Sequence, residues 1–357
     1  MPIADRINAF AGAGLETLVP YKVEDATGLI KLDAMENPYS IPDTLREAWI
    51  LALDEVEVNR YPDPHAVELK GRLRRSLGLG DGTGIVIGNG SDELIHLLCL
   101  AAGNGGVLCM EPTFSVYRLA AQACGLDYHG VPLTENFEIS LNTALSAIER
   151  FKPAIVFVAS PNNPTGNAYK IEDILALCDA TSGIVVLDEA YWRFHGRSEV
   201  QMIESRENLL VLQTLSKIGL AGIRLGMMFG PQAWIDFFDK LRMPYNVGNL
   251  SQAAANFALE HESVFADQIN HICVERERLT TRLQAFDNLR VWPSRTNFIL
   301  FQSCQMAGPE VHRGLKEQGV LIKSLDGSNP RLQDCLRVTV GLPQENDKFL
   351  EGLSNLV

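Results

Sequence analysis

The chain has 357 residues, a formal net charge of −13, 46% hydrophobic residues and 21% charged residues. That length and apolar content suit a large α/β domain, alone or with a smaller companion, and allow a sizeable core. The acidic balance and the lack of a Lys/Arg tract argue against nucleic acid or an anionic membrane as partner, while still permitting a local cationic pocket.

Seven cysteines, at 99, 109, 124, 178, 273, 304 and 335, make an odd set without a Cys-x-x-Cys pair. A disulfide framework or a zinc site is not expected from that spacing; small core residues in a reducing compartment are. No apolar run approaches the roughly 20 residues of a membrane span. The first residues, "MPIADRINAF", lack the apolar core of a signal peptide. The expectation is a cytoplasmic protein without metal.

Residues 1–30 read as an arm, ending in the unperiodic "LVPYKVEDATG". Turn chemistry in "LIKLDAMENPYSIP" then leads into residues 31–248, where short apolar runs alternate with helical patterns. The runs are "GIVIG" (84–88), "GVLCM" (106–110), "AIVFVAS" (154–160), "GIVVLDE" (183–189) and "LLVLQT" (209–214). Helical patterns such as "SDELIHLLCLAA" and "KIEDILALCDAT" separate them. Runs apolar on both faces, alternating with helices, predict a mostly parallel sheet covered on both sides. From residue 249 the texture changes to one or two long amphipathic helices, then strand candidates "NFILF", "GVLIK" and "CLRVTVG" with a helix around "PEVHRGLKEQ". Residues 249–357 therefore read as a smaller α+β domain.

Ligands of open parallel sheets bind beyond the carboxyl ends of the strands. The residues just after each run are therefore informative: "GNGSDE", "PNNPTG", "DEAY" and "LSK". Together they suit pyridoxal phosphate. Its aldehyde needs a lysine amine, for which Lys217 serves. Its ring nitrogen needs an acid, for which Asp188 serves by stabilising the protonated, electron-withdrawing ring. Asn163 and Tyr191 suit its phenolate oxygen. Backbone N–H groups of Ser91 and Asp92 at a helix start, with Ser216 and Arg224, suit its phosphate. Each motif alone has a plainer reading: a surface lysine, a strand-end cap, a Pro/Asn/Gly turn. Their order after successive buried strands favours the cofactor. The glycines of "GTGIVIGNG" straddle a strand instead of leading from it into a helix, which removes a dinucleotide reading.

"SPNNPTG", "DEAY" and "TLSKIGLAGIRLG" resemble the fold type I aminotransferases, and "LDAMENPYSIP", "RYPDP", "GNGSDELI", "EPTFSVY" and "CLRVTVG" narrow the resemblance to the histidinol-phosphate aminotransferases, a class II-like subfamily. The resemblance spans the chain from about residue 18 to its end. It implies the fold type I architecture, with a seven-stranded-type sheet between helices, and a homodimer with shared active sites. It implies transamination between L-histidinol phosphate and 2-oxoglutarate in histidine biosynthesis, by ping-pong kinetics through an internal aldimine at Lys217, which then serves as the base, with Asp188 and Tyr191 supporting the chemistry. It further implies that Phe114 stacks on the cofactor ring and that Tyr61 reaches the phosphate of the neighbouring subunit's cofactor. Tyr21 would cross in from the partner near the substrate, Asn163 would also contact the substrate, and Arg337 would bind its anionic end, with Lys323 as a second anion contact. The chain departs from many members in carrying Lys323 where they have arginine, which keeps the charge but not the bidentate fork. It also places Arg224 one residue nearer to Lys217. Rival readings on the same scaffold are an aromatic aminotransferase, a phosphothreonine decarboxylase and a cofactor-sensing regulator.

Overall fold

The structure, a computed structural model, describes residues 1–12, 15, 18 and 23–357. After β1 (Ile30–Lys31) come β2 (Thr83–Asn89), β3 (Val107–Glu111), β4 (Tyr128–Pro132), β5 (Ile155–Ala159), β6 (Ile184–Asp188), β7 (Leu209–Thr214) and β8 (Leu225–Pro231). Strands β2 to β8 form one seven-stranded sheet in the order β2-β8-β7-β6-β5-β3-β4. The pairs β3–β4, β3–β5, β5–β6 and β6–β7 are parallel, and β8 runs antiparallel to both of its neighbours. The sheet is thus mostly parallel, as expected, with β8 the one reversed strand.

The five apolar runs became β2, β3, β5, β6 and β7 because both faces of each are buried. Along β5, Ile155, Phe157 and Ala159 pack into one layer while Val156 and Val158 pack into the other. On β7, Leu210 and Leu212 oppose Leu209 and Val211 in the same way. Each such fully buried side chain contributes about 2 kcal/mol of transfer free energy. Two strands of the seven-stranded sheet were not foreseen. β4, "YHGVP", is an edge strand with a mostly half-exposed or exposed pattern. β8, "LGMMFGP", carries glycines that read as a turn, yet Leu225 to Gly230 are all buried.

The remaining chain builds a second layer. Helices Asn249–Glu260 and Glu262–Gln284 are separated at His261. β9 (Leu289–Val291), β10 (Phe298–Ser303), β11 (Val320–Leu321), β12 (Lys323–Ser324) and β13 (Cys335–Thr339) come next, with helices Gly308–Glu317 and Pro343–Ser354. Four of these strands form an antiparallel sheet, β12-β13-β10-β9, over a core of Leu279, Ile299, Phe301, Leu336, Val338 and Phe349. β1 pairs in parallel with β11, and Leu32 joins this same core, so the chain docks on the C-terminal layer before it enters the large sheet. Among the described residues no helix is long and apolar enough to cross a membrane.

Candidate active site

Because only β8 is reversed, the carboxyl ends of β2, β3, β5, β6 and β7 and the start of β8 share one edge of the sheet. A cleft at that edge is lined by Ser91, Asp92, Phe114, Asn163, Asp188, Tyr191, Ser216, Lys217 and Arg224, together with Met35, Tyr117, Pro161 and Thr214. Nine of the ten cofactor residues read from the sequence therefore meet in one place. The tenth, Tyr61, lies elsewhere: it is 80% exposed and stacks on Tyr245 at 4.5 Å. Tyr21 lies outside the described residues.

Lys217 sits in a short 3-10 turn, Ser216–Ile218, directly after β7. Its Nζ lies 5.9 Å from the ring centre of Tyr191. Burial pushes its ammonium down to about 8, with the Arg337 cation acting in the same direction. An amine so placed is partly neutral near physiological pH and can attack an aldehyde.

Asp188 closes β6 and is only 4% exposed. Its Oδ2 accepts from Tyr117 Oη at 2.6 Å and its Oδ1 from the Ala190 N–H at 3.0 Å. Burial raises its carboxyl to about 6, and the Tyr117 hydrogen bond works against that rise. A buried carboxylate of this kind gains from a cation at its open side, such as a protonated ring nitrogen. Tyr117 was not picked out from "EPTFSVY". Its position three residues after Phe114 puts both rings near one helix start, where they stand edge to face at 5.6 Å. That spacing is a usable signal.

The helix Gly90–Ala101 starts directly from β2. Gly90 has φ +80°, and a Cβ there would lie 2.5 Å from Arg224 Nη2. A Cβ on Gly226 would lie 2.3 Å from the Ser91 nitrogen. The backbone amides of the first turn are thus left uncovered and close to β8, an anion cradle by geometry and dipole. Arg224 adopts φ 50° and its guanidinium turns back to Asp92 Oδ2 at 3.0 Å. The Asp92 side chain therefore holds Arg224, and only its N–H is suited to phosphate. Ser216 is buried, with its Oγ 2.9 Å from Thr214 Oγ1, which also accepts the Ser216 N–H.

A second cleft opens from the first and shares Met35, Phe114 and Asn163 with it. Lys323 and Arg337 line its C-terminal wall and are direct partners across β12 and β13. Arg337 is 6% exposed; it donates through Nη1 to Asn163 Oδ1 and through Nη2 to the Asp33 carbonyl at 2.8 Å. Glu111, Arg118 and Tyr128, unremarked in the sequence, form the opposite wall. Glu111 Oε1 accepts from Arg118 at 2.6 Å and from Tyr128 at 2.7 Å, leaving Arg118 locally neutralised. Two cations therefore face this cleft from one side, across from Lys217's end of the first.

The profile of the family described as aminotransferase class I and II matches residues 27–353. Histidinol-phosphate aminotransferase 2 of Nitrosococcus oceani is 46% identical over 351 residues, covering 98% of both chains. Histidinol-phosphate aminotransferase of Chromobacterium violaceum is 45% identical, covering 93% of this chain and 94% of its own. Among solved structures, histidinol-phosphate aminotransferase from Clostridium acetobutylicum superposes with a TM-score of 0.85 at 24% identity, covering 92% of this chain and 99% of the other. The Sinorhizobium meliloti enzyme in complex with pyridoxal-5'-phosphate superposes with a TM-score of 0.84 at 24% identity, over 97% and 98%. These superpositions show the fold type I architecture.

Proposed function

The chain belongs to the class I and II aminotransferases and is a pyridoxal-phosphate-dependent transaminase, and from that premise we propose that it moves the amine of L-histidinol phosphate to 2-oxoglutarate. The observation that carries the substrate is the identity of 46% over nearly all of both chains with a histidinol-phosphate aminotransferase. The two cations on one wall of the second cleft, Lys323 and Arg337, suit a phosphate in one half-reaction and a carboxylate in the other.

Pyridoxal phosphate, when bound, supplies an aldehyde for the amine and a cationic ring that withdraws electrons from the carbon losing its proton. The residues around it divide the remaining work. Lys217 would supply the amine that holds the group and, once displaced by the substrate amine, would serve as the base that moves the proton; a lowered pKa lets it act near neutrality. Asp188 would face the ring nitrogen as a carboxylate and favour its protonated form, and the Tyr117 hydrogen bond favours the ionised Asp188. Asn163 and Tyr191 would orient the phenolate side, and Phe114 would cover one ring face. Ser91, the Asp92 N–H, Ser216 and Arg224 would hold the phosphate. Arg337, with Lys323 beside it, orients the substrate's anion.

A homodimer is part of the proposal. Tyr61 and Tyr245 are exposed and stack on one another, and exposed Ile50, Leu51, Val67 and Leu250 lie on helices Asp43–Asp54, Val67–Leu77 and Asn249–Glu260, the last of which packs on the other two; such apolar surface suits an interface. Tyr61 on that surface would reach the neighbour's phosphate, and the arm with Tyr21 the neighbour's substrate. The setting is cytoplasmic histidine biosynthesis.

The test is kinetic. The purified protein is offered histidinol phosphate, phenylalanine and phosphothreonine with 2-oxoglutarate. We expect kcat/KM for histidinol phosphate to exceed that for phenylalanine by roughly a hundredfold, because phenylalanine offers no phosphate to the two cations. Equal turnover of phenylalanine, or release of carbon dioxide from phosphothreonine, would overturn the substrate. Adding histidinol phosphate without an oxo acid should bleach the visible cofactor band.

A further inference from the structure

The stretch "MENPYS", residues 35–40, lines the cleft through Met35, and its Asn37 touches the turn that carries Lys217. Asn37 Nδ2 donates to the carbonyl of Ile218 at 2.9 Å and to Gln268 Oε1 at 3.0 Å, while its Oδ1 accepts from the Tyr39 N–H at 2.8 Å. Gln268 is itself buried and donates to the Ser40 carbonyl at 2.9 Å. Both side-chain amides are thus fixed in orientation. Gly219, with φ +115°, brings the backbone after Lys217 so close that a Cβ there would lie 3.1 Å from Asn37 Nδ2. The same strap is held at its other end, where the Asp33 carbonyl accepts from Arg337. Between these ends the Met35 N–H donates to Thr339 Oγ1, and its carbonyl accepts from Asn297.

A 3-10 turn of three residues has little internal hydrogen bonding to hold its shape. The Ile218 carbonyl leaves that turn without continuing a helix, and Asn37 satisfies it from outside. We propose that Asn37 is a positioning residue: by holding the Ile218 carbonyl it fixes the direction in which the Lys217 amine enters the cleft, and it ties that direction to the strap gripped by Arg337. This inference rests on Lys217 being the reacting amine. Small displacements of a reacting group cost rate steeply, roughly a hundredfold per ångström.

The experiment compares Asn37→Asp and Asn37→Ala with the parent and with Lys217→Ala. Asn37→Asp keeps an oxygen for the Tyr39 N–H but presents no donor to Ile218; Asn37→Ala loses both. We expect both Asn37 variants to lower kcat by roughly ten- to a hundredfold with KM for the amine donor changed less than about threefold. Both should also slow covalent capture of pyridoxal phosphate by the cofactor-free protein, read by borohydride trapping and mass spectrometry. If Asn37 merely shapes the strap, Asn37→Asp will match the parent in kcat and capture while Asn37→Ala loses thermal stability, and the inference fails. If Lys217→Ala retains turnover, the assignment of the amine fails instead, whatever the Asn37 variants do.

Discussion

Tyr117 Oη donates a 2.6 Å hydrogen bond to Asp188 Oδ2, and neither side chain has appreciable access to water. The phenol is locked by its ring, stacked on Phe157 at 4.5 Å and 4° and edge-on to Phe114. Burial and the neighbouring carboxylate push the phenol well above its ordinary range, so it stays a donor at every accessible pH. A donor that cannot ionise stabilises the charged form of Asp188 more than the neutral one, and the charged form is what a cationic ring requires.

Tyr117→Phe removes that single hydrogen bond and keeps both ring contacts. A hydrogen bond to a buried charge contributes about 1.5–3 kcal/mol. The Asp188 carboxyl, raised to about 6, should climb further. The acid limb of the kcat/KM profile should therefore move to higher pH, with a loss of roughly two- to fifteenfold at pH 7. At pH 5, where Asp188 is largely protonated in either protein, the melting temperatures of the cofactor-free forms should differ less than at pH 7.5. An unmoved acid limb would show that Asp188 does not depend on Tyr117.

Asp188→Asn should abolish turnover yet stabilise the cofactor-free fold. The folded pKa, about 6, lies above the ordinary carboxyl value of 3.8, so the native state binds the proton more tightly than the unfolded chain. The resulting stability is fully present below pH 3.8, and is lost as pH rises through 6. Above that window the buried charge costs up to about 3 kcal/mol, from roughly two pKa units at 1.36 kcal/mol each. Asparagine removes the charge and retains an acceptor for Tyr117. Urea unfolding of the cofactor-free proteins should show the variant more stable at pH 7.5, with the difference shrinking toward pH 4. A variant less stable at both pH values would contradict the desolvation argument.

The cleft was legible in sequence because each contributor comes directly after an apolar run, and a parallel sheet delivers all such ends to one edge. Lys217, Asp188 and Asn163 needed no more than that. β8 was not legible: Gly226 and Gly230 resemble turn residues, and only close approach to Ser91 and to Leu210 explains them. Tyr117 and Asn37 were hidden for another reason. Their partners, Asp188 and the Ile218 carbonyl, lie 71 and 181 residues away, and no local pattern encodes such a contact. The docking of β1 on β11 was equally non-local. Tyr61 is the reverse case, a motif residue whose own chain gives it no place in the cleft.

Lys323→Arg should tighten binding of the phosphorylated substrate. Lys323 faces the second cleft beside Arg337, but as a point charge it forms no fork. An arginine reaching the same anion should lower KM for histidinol phosphate a few-fold, with kcat little changed. Arg337→Gln should raise KM by about a hundredfold for both anionic substrates, because a charge-assisted contact is lost and Asn163 and the Asp33 carbonyl lose their donor. Steady-state kinetics with each substrate decide both. Equal KM values across all three proteins would place the anion elsewhere.

The rate at which the cofactor-free protein captures pyridoxal phosphate should level off above about pH 8, far below the ordinary lysine range. Only the neutral amine attacks the aldehyde. With a pKa of about 8, roughly a quarter of Lys217 is neutral at pH 7.5, against about a thousandth for an unperturbed lysine. Burial is the main cause, and the Arg337 and Arg224 cations add to it, while Asp92 and Glu36 oppose them. Removing one like charge should therefore restore some proton affinity: in Arg337→Gln the plateau should shift to higher pH and capture at pH 7.5 should slow. Lys217→Ala should show no covalent capture at any pH. Stopped-flow absorbance across pH 6 to 10 reads all three proteins. A plateau near 10.5 in the parent, or no shift in Arg337→Gln, would mean that the amine meets the aldehyde in a more open and more polar setting than the cleft provides.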